Sequence, residues 1–229
     1  MIEKNFIKLY EESFKENWDL LALSDYNTTK NLTYREVAEQ IERLHILFRQ
    51  CKIRRGDKIA IVGRNNVNWV ITYMGAMMYG AIAVPILQDF NGNDISYIVN
   101  HSESSLLFLS EHIWENVEVE HIPTLRAVIS LNDFSCIDQR DGETVSGILA
   151  NMDVLFKKEH PKGFKKEDLC YAELENDKIV EINYTSGTTG YSKGVMLTGN
   201  NLAGNVCYGI KTRLHYKGSK ALSFLPLAH

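Results

Sequence analysis

The chain is poor in cysteine chemistry. Cys51, Cys136, Cys170 and Cys207 lie more than thirty residues apart, so there is no CxxC pair and no zinc-ligand spacing. They read as buried free thiols of a reducing compartment. Charge of one sign is also lacking. Lys and Arg number 25 against 29 Asp and Glu, and the net charge of -4 provides no general attraction to a nucleic-acid backbone or an anionic membrane. Nucleic acid is therefore not expected as a partner. The opening MIEKNFIKLYEESFKENW has no apolar core of the kind a signal peptide needs. No internal repeat or low-complexity tract is visible, and the cytoplasm is the expected compartment.

Long hydrophobic runs are absent with one exception. Residues 69–87 (WVITYMGAMMYGAIAVPIL) are nineteen without a charge, close to the length of a membrane span. Two readings compete: a membrane helix, or a buried helix and a buried strand that divide at Gly80. Thr72, Gly75, Gly80 and Pro85 dilute the run and favour the second, since buried α/β elements read as near-continuous apolar stretches.

The remaining composition, 45% hydrophobic and 24% charged, is that of a globular chain able to fill one large or two small cores. Thr33-Tyr34-Arg35-Glu36 forms a capping box, which predicts a helix with Val37, Ile41, Leu44 and Phe48 inward. Residues 58–63 read as a strand, 66–79 as a helix and 81–87 as a strand. Then come a helix over 93–100, a strand over 105–109, a short helical turn and a strand over 126–131. This alternation predicts an α/β fold: doubly wound, mostly parallel sheets with flanking helices, and a ligand crevice at the carboxyl ends of the strands. The highly charged residues 156–178 read as a solvated linker or surface excursion. It separates an N-terminal α/β subdomain (1–155) from the start of a second (179–229). The second opens with a strand over 179–184, continues with a helix from about Thr198 or Asn200 to Ile210, and ends with a strand over 220–225.

Between that strand and helix lies YTSGTTGYSKGV, residues 184–195, with the hydroxyls of Thr185, Ser186, Thr188, Thr189 and Ser192, the glycines Gly187, Gly190 and Gly194, and Lys193. Glycine lets a backbone wrap closely around a phosphate chain, hydroxyls donate to its oxygens and the lysine adds a compact positive charge. A Walker A loop needs lysine directly after its second glycine, and here Lys193 follows Gly190 by three, so the P-loop NTPases are excluded. By composition alone the stretch also suits a plain Ser/Thr/Gly-rich surface turn.

The order of the residues decides for the first reading. YTSGTTGxxKGV, together with LTYREVAEQI, GDKIAIVGRNNVNWVITYMGAMMYGAIAVPI and the terminal FLPLAH, resembles the adenylate-forming superfamily of acyl-CoA synthetases, luciferases and nonribosomal peptide adenylation domains. Within it the chain looks most like the N-terminal part of a long-chain fatty acyl-CoA synthetase. The resemblance implies a ligase in which a carboxylate attacks the α-phosphate of ATP to give acyl-AMP and pyrophosphate, after which the thiol of coenzyme A displaces AMP. It places the β- and γ-phosphates and Mg2+ on Thr185, Ser186, Gly187, Thr188, Thr189, Gly190 and Lys193, with no protein ligand to the metal assigned. His229 falls beside the reacting carboxylate. The remaining histidines read as surface or packing residues.

Two departures stand out: Ser192 where proline is usual, and Gly199 where a histidine commonly opens the next helix. The family's adenine-, ribose- and magnesium-binding segments lie beyond the last residue, so the chain is expected to be an N-terminal fragment that is inactive alone and self-associates through an exposed apolar face. The implied partners are a fatty acid or other carboxylic acid, ATP and coenzyme A, with peripheral attachment of the complete protein at the inner membrane face. Other readings stay open: a non-catalytic nucleotide- or acyl-binding module or half of a split enzyme, and an amino-acid or aryl-acid adenylating relative.

Overall fold

The computed structural model describes residues 5–26, 28–185, 192–213 and 216–228. Helix α1 (Phe6–Glu16) precedes a small antiparallel hairpin, β1 (Leu21–Ser24) and β2 (Asn31–Thr33). Helix α2 (Tyr34–Gln50) starts at the expected capping box, where Thr33 Oγ1 accepts from the Glu36 N–H and the Glu36 carboxylate accepts from the Thr33 N–H. Then follow β3 (Lys58–Val62), α3 (Val67–Tyr79), β4 (Ile82–Ile86), α4 (Gly92–His101), β5 (Ser104–Leu109) and the single turn α5 (Glu111–Trp114). Next come β6 (Ala127–Ser130), β7 (Cys136–Gln139), α6 (Val145–Ala150) and α7 (Met152–Glu159). The last elements are β8 (Ile179–Thr185), β9 (Lys193–Thr198) and α8 (Gly199–Thr212).

The uncharged run divides as expected. Gly80 ends α3 in the left-handed conformation (φ 92°), which costs a residue without Cβ little, and β4 follows at once. No helix among the described residues is long and apolar enough to cross a membrane.

Seven strands form one sheet in the order β7-β6-β5-β3-β4-β8-β9. The four interior pairings are parallel, and the edge strands β7 and β9 run antiparallel to their neighbours. Parallel strands are covered on both faces, and the alternation along β3 shows it. Ile59 and Ile61 pack with Trp69, Phe48 and Phe108 on the side of α2 and α3, whereas Ala60 and Val62 pack with Ile95, Ile98 and Val99 of α4 on the other. From β3 the chain goes to β4 on one side and then to β5 on the other, with α3 and α4 on opposite faces. Clefts lie outside the carboxyl ends of β3, β4 and β8.

Several expectations change. Residues 156–178 do not separate two sheets among the described residues, because β8 and β9 continue the sheet begun by β3 and β4. Nor is the stretch wholly solvated. Phe164, Leu169 and Tyr171 are buried, the Tyr171 ring meets Phe14 edge-on, and the Ala172 N–H donates to the Met78 carbonyl. The Tyr171 N–H also donates to Glu11, whose carboxylate receives Lys8 and Lys15 as well. Burial alone raises the Glu11 pKa, but these hydrogen bonds outweigh it and hold the carboxyl below its ordinary value. Residues 220–225 form no strand: Leu222, Phe224 and Leu225 are exposed, since no neighbouring strand offers them a ladder. All four cysteines are free, yet only Cys51 is buried and Cys170 is exposed.

Candidate active site

The sequence suggests a strand, a phosphate loop and then a helix. The structure inserts β9 between loop and helix, because residues 193–198 fold back on β8 as an antiparallel ladder. The register pairs Thr185 with Lys193 and Tyr184 with Gly194. The hairpin thus brings the Thr185 and Lys193 backbones directly opposite each other at the end where the connecting residues 186–192 begin and finish, both residues exposed, with Ser192 half-buried beside them. Ser186, Gly187, Thr188, Thr189, Gly190 and His229, the remaining predicted site residues, lie outside the described residues.

Gly194 has a role other than backbone freedom. A Cβ there would come within 3.0 Å of Ile182 Cγ2 and 3.2 Å of Tyr184 Cζ, so its absence lets the tyrosine ring lie across the neighbouring strand. The Tyr184 hydroxyl shares a hydrogen bond of 2.7 Å with His101 Nδ1 at the end of α4, and Tyr97 stacks on that imidazole. Burial pushes the Tyr184 phenol up to about 12, so it stays protonated at neutral pH. His101, expected to be a surface or packing residue, therefore anchors the hairpin to the body of the sheet.

One face of β8 carries Glu181, Asn183 and Thr185 in alternation. Glu181 is buried, accepts from the Tyr73 hydroxyl and, at 2.5 Å, from the Asn183 amide. Burial raises its pKa, and the Tyr73 hydrogen bond offsets part of that rise. The sequence gives no sign of this carboxylate, which hides in an apolar strand and becomes visible only when α3 brings Tyr73 over it.

Two clefts sit at the carboxyl ends of the parallel strands. The larger, about 470 Å³, is mostly apolar, with Leu87 and Phe90 after β4 and Tyr184, Thr185, Val195 and Leu197 of the hairpin. The smaller, about 250 Å³, lies after β3, between Arg64 and Asn65 on one side and Phe224, Pro226 and Leu227 on the other. Ala228 lines both. Thr185 in the lining, with Lys193 paired opposite it, offers a polyphosphate a hydroxyl and a positive charge, and the apolar walls suit an acyl or aromatic group. Among the described residues, the one group with metal-ligand spacing is Glu42 on α2 with Glu159 at the end of α7 and His160 directly after it. These line neither cleft, and the Arg49 guanidinium already bridges Glu42 (2.8 Å) and Glu159 (2.5 Å).

An open, mostly parallel sheet with clefts at the carboxyl ends of its strands defines the class of doubly wound α/β proteins. Within that class the chain belongs to the AMP-binding enzyme family, whose profile matches residues 10–229. It is 28% identical over 224 residues to a fatty acyl-CoA synthetase A of Dictyostelium discoideum, covering 92% of this chain and 31% of that protein. It is also 29% identical over 214 residues to the human long-chain-fatty-acid–CoA ligase 1, covering 86% and 29% respectively. The chain thus spans under a third of the length of these curated relatives. The fold matches the N-terminal domain of FACL13 from Mycobacterium tuberculosis with a TM-score of 0.75 at 20% identity, over 99% of this chain and 52% of that one. A long-chain-fatty-acid-CoA ligase from Archaeoglobus fulgidus matches with a TM-score of 0.67 at 20% identity, over 93% and 40%.

Proposed function

We propose that the chain is the phosphate-binding portion of an ATP-dependent ligase that activates a long-chain fatty acid as its acyl-adenylate and passes the acyl group to coenzyme A. The observation that carries this reading is the hairpin register that sets Thr185 opposite Lys193 at the rim of a mostly apolar cleft. The names of the curated relatives support the choice of acid.

In the first step a carboxylate oxygen attacks the α-phosphorus of ATP, and the bond to the bridging oxygen breaks as pyrophosphate leaves. In the second the coenzyme A sulfur attacks the acyl carbonyl carbon, and AMP departs with the electron pair. Lys193 neutralises charge growing on the leaving pyrophosphate and the Thr185 hydroxyl orients it, the positioning and charge stabilisation on which such transfers depend. In this proposal Ser186, Gly187, Thr188, Thr189 and Gly190 complete the cradle, and His229 stands beside the acid. Magnesium, bound with the phosphates, supplies further charge neutralisation.

The 229 residues alone are proposed to catalyse neither step, since in-line attack needs the nucleoside fixed, and orientation is worth roughly 7–11 kcal/mol of a barrier. The exposed Met196, Tyr208, Leu222 and Phe224 give this piece a surface through which it self-associates. The complete protein is proposed to be cytoplasmic, with peripheral attachment at the inner membrane face.

Pyrophosphate release by the full-length protein, given ATP, magnesium and a panel of fatty, aryl and amino acids, tests the reading. Release is expected with long-chain fatty acids, and release with amino acids alone overturns the assignment. Lys193→Ala is expected to slow adenylation on the order of ten- to a thousandfold.

A further inference from the structure

The segment 223–228 belongs to no helix or strand, and Phe224 and Leu225 are exposed, yet it keeps a defined course over the carboxyl end of β3. Ala228 and Leu227 pack on the core, and among the described residues one side chain, that of Asn65, hydrogen-bonds the segment at three points. Asn65 donates from Nδ2 to the Leu225 carbonyl (2.6 Å) and accepts at Oδ1 from the Leu227 N–H (3.0 Å), while Ser223 Oγ lies 3.4 Å from the same Nδ2. Both ends of the amide are used, much as a neighbouring strand would use a peptide group.

Asn65 is itself firmly placed. It occupies the short turn between β3 and α3, where Asn66 caps the helix by accepting from the Trp69 N–H (2.7 Å) and Asp25 accepts from the Val67 N–H (2.8 Å). A rigid anchor therefore grips a segment that has no regular structure to fix it, and the grip ends one residue before Ala228, the wall common to both clefts.

We propose that Asn65 is a positioning residue: by fixing the backbone at Leu225 and Leu227 it sets the wall at Ala228 and so shapes the acid-receiving side of the site. The identity of the acid rests on the function proposed above; the hydrogen bonds do not. In the full-length protein Asn65→Ala is expected to raise KM for the fatty acid about tenfold, as loss of one or two net hydrogen bonds does, while KM for ATP stays near the parent value. Asn65→Asp keeps the size and the acceptor for Leu227 but has no proton for the Leu225 oxygen, and is expected to raise the same constant about threefold or more. A side chain that merely fills space would leave Asn65→Asp unchanged.

A parallel rise of both KM values, or no rise in either variant, overturns the proposal. Amide hydrogen exchange gives a readout that needs no activity. The Leu227 N–H is expected to exchange roughly tenfold faster in Asn65→Ala, with the amides of β3 and β4 unaltered. Unchanged exchange at Leu227 overturns the proposal even if the protein activates no acid, whereas absent pyrophosphate release with faster exchange overturns only the functional reading. If the alanine variant does not fold, the aspartate variant carries both measurements.

Discussion

The middle of the sheet and its far edge are built on opposite terms. Ile59, Ile61, Val84 and Phe108 of β3, β4 and β5 are fully buried, packed from both faces by helices whose caps are formed. Two strands beyond β4, Val195 and Met196 of β9 are 45% and 63% exposed, and the run after α8 leaves Leu222 and Phe224 at 74% and 78%. Yet the two site residues placed by the structure, Thr185 and Lys193, sit on that outer hairpin. The lesson is a division of labour. The interior supplies stability, and the candidate phosphate loop hangs from a two-stranded ladder tied back through Tyr184 and His101.

Variants can break this contrast from the strong end first. Trp69→Ala removes a side chain only 2% exposed and is expected to cost about 3–5 kcal/mol by denaturant unfolding. A smaller loss comes with acid. His45 lies buried under α3 and donates from Nε2 to the Gly75 carbonyl (3.0 Å). Burial is the main cause that lowers its pKa from 6.5 to about 4; the Gly75 bond opposes the shift and Arg49 adds to it. The unfolded chain takes up this proton first. Stability is therefore complete above pH 6.5 and falls as pH drops toward 4, by about 3 kcal/mol over the window. His45→Gln, which keeps a donor for Gly75, is expected to flatten that part of the denaturant-midpoint profile.

Nearer the edge, Gly194→Ala forces a methyl against Ile182 and Tyr184 and is expected to cost about 1–3 kcal/mol and to loosen the Tyr184–His101 bond, seen as faster exchange of β9 amides. Thr33→Ala, which removes one half of the α2 capping box, should cost about 1 kcal/mol. Phe224→Ala should stay within about 0.5 kcal/mol in these 229 residues. A loss as large as that of Trp69→Ala would erase the distinction between interior and edge.

Much of the interior was legible in advance because its signals are local. The capping box, the break at Gly80 and the inward Val37, Ile41, Leu44 and Phe48 need no knowledge of the rest of the chain. The edge was harder. KGVMLT becomes a strand only because β8 lies beside it, and KALSFL, with equal strand propensity, stays irregular for want of a neighbour. Phe164, Leu169 and Tyr171 escaped notice because a charged average conceals three buried side chains. At the candidate site the motif marked out the loop, but the partners that shape its surroundings, His101 for Tyr184 and Asn65 for Leu225 and Leu227, sit 83 and about 160 residues away in sequence. No local pattern announces such a pairing.

The place of β8 beside β4 has a consequence for how the molecule assembles. From β4 the chain runs through α4, β5, β6, β7, α6, α7 and the charged stretch before β8 returns to complete that pairing. Closing so long a loop is entropically costly, whereas β3 meets β4 across the single crossover α3 and β5 returns to β3 after one crossover more. By this argument those three strands are expected to pair before the hairpin docks, an order that φ-values measured in β3 and β9 would check. On a ribosome, β4 waits with one flank unpaired until β8, residues 179–185, has emerged. The hazard of mispairing in this protein thus belongs to its youth, and the hairpin that carries the candidate phosphate loop is also the piece that closes the nascent sheet.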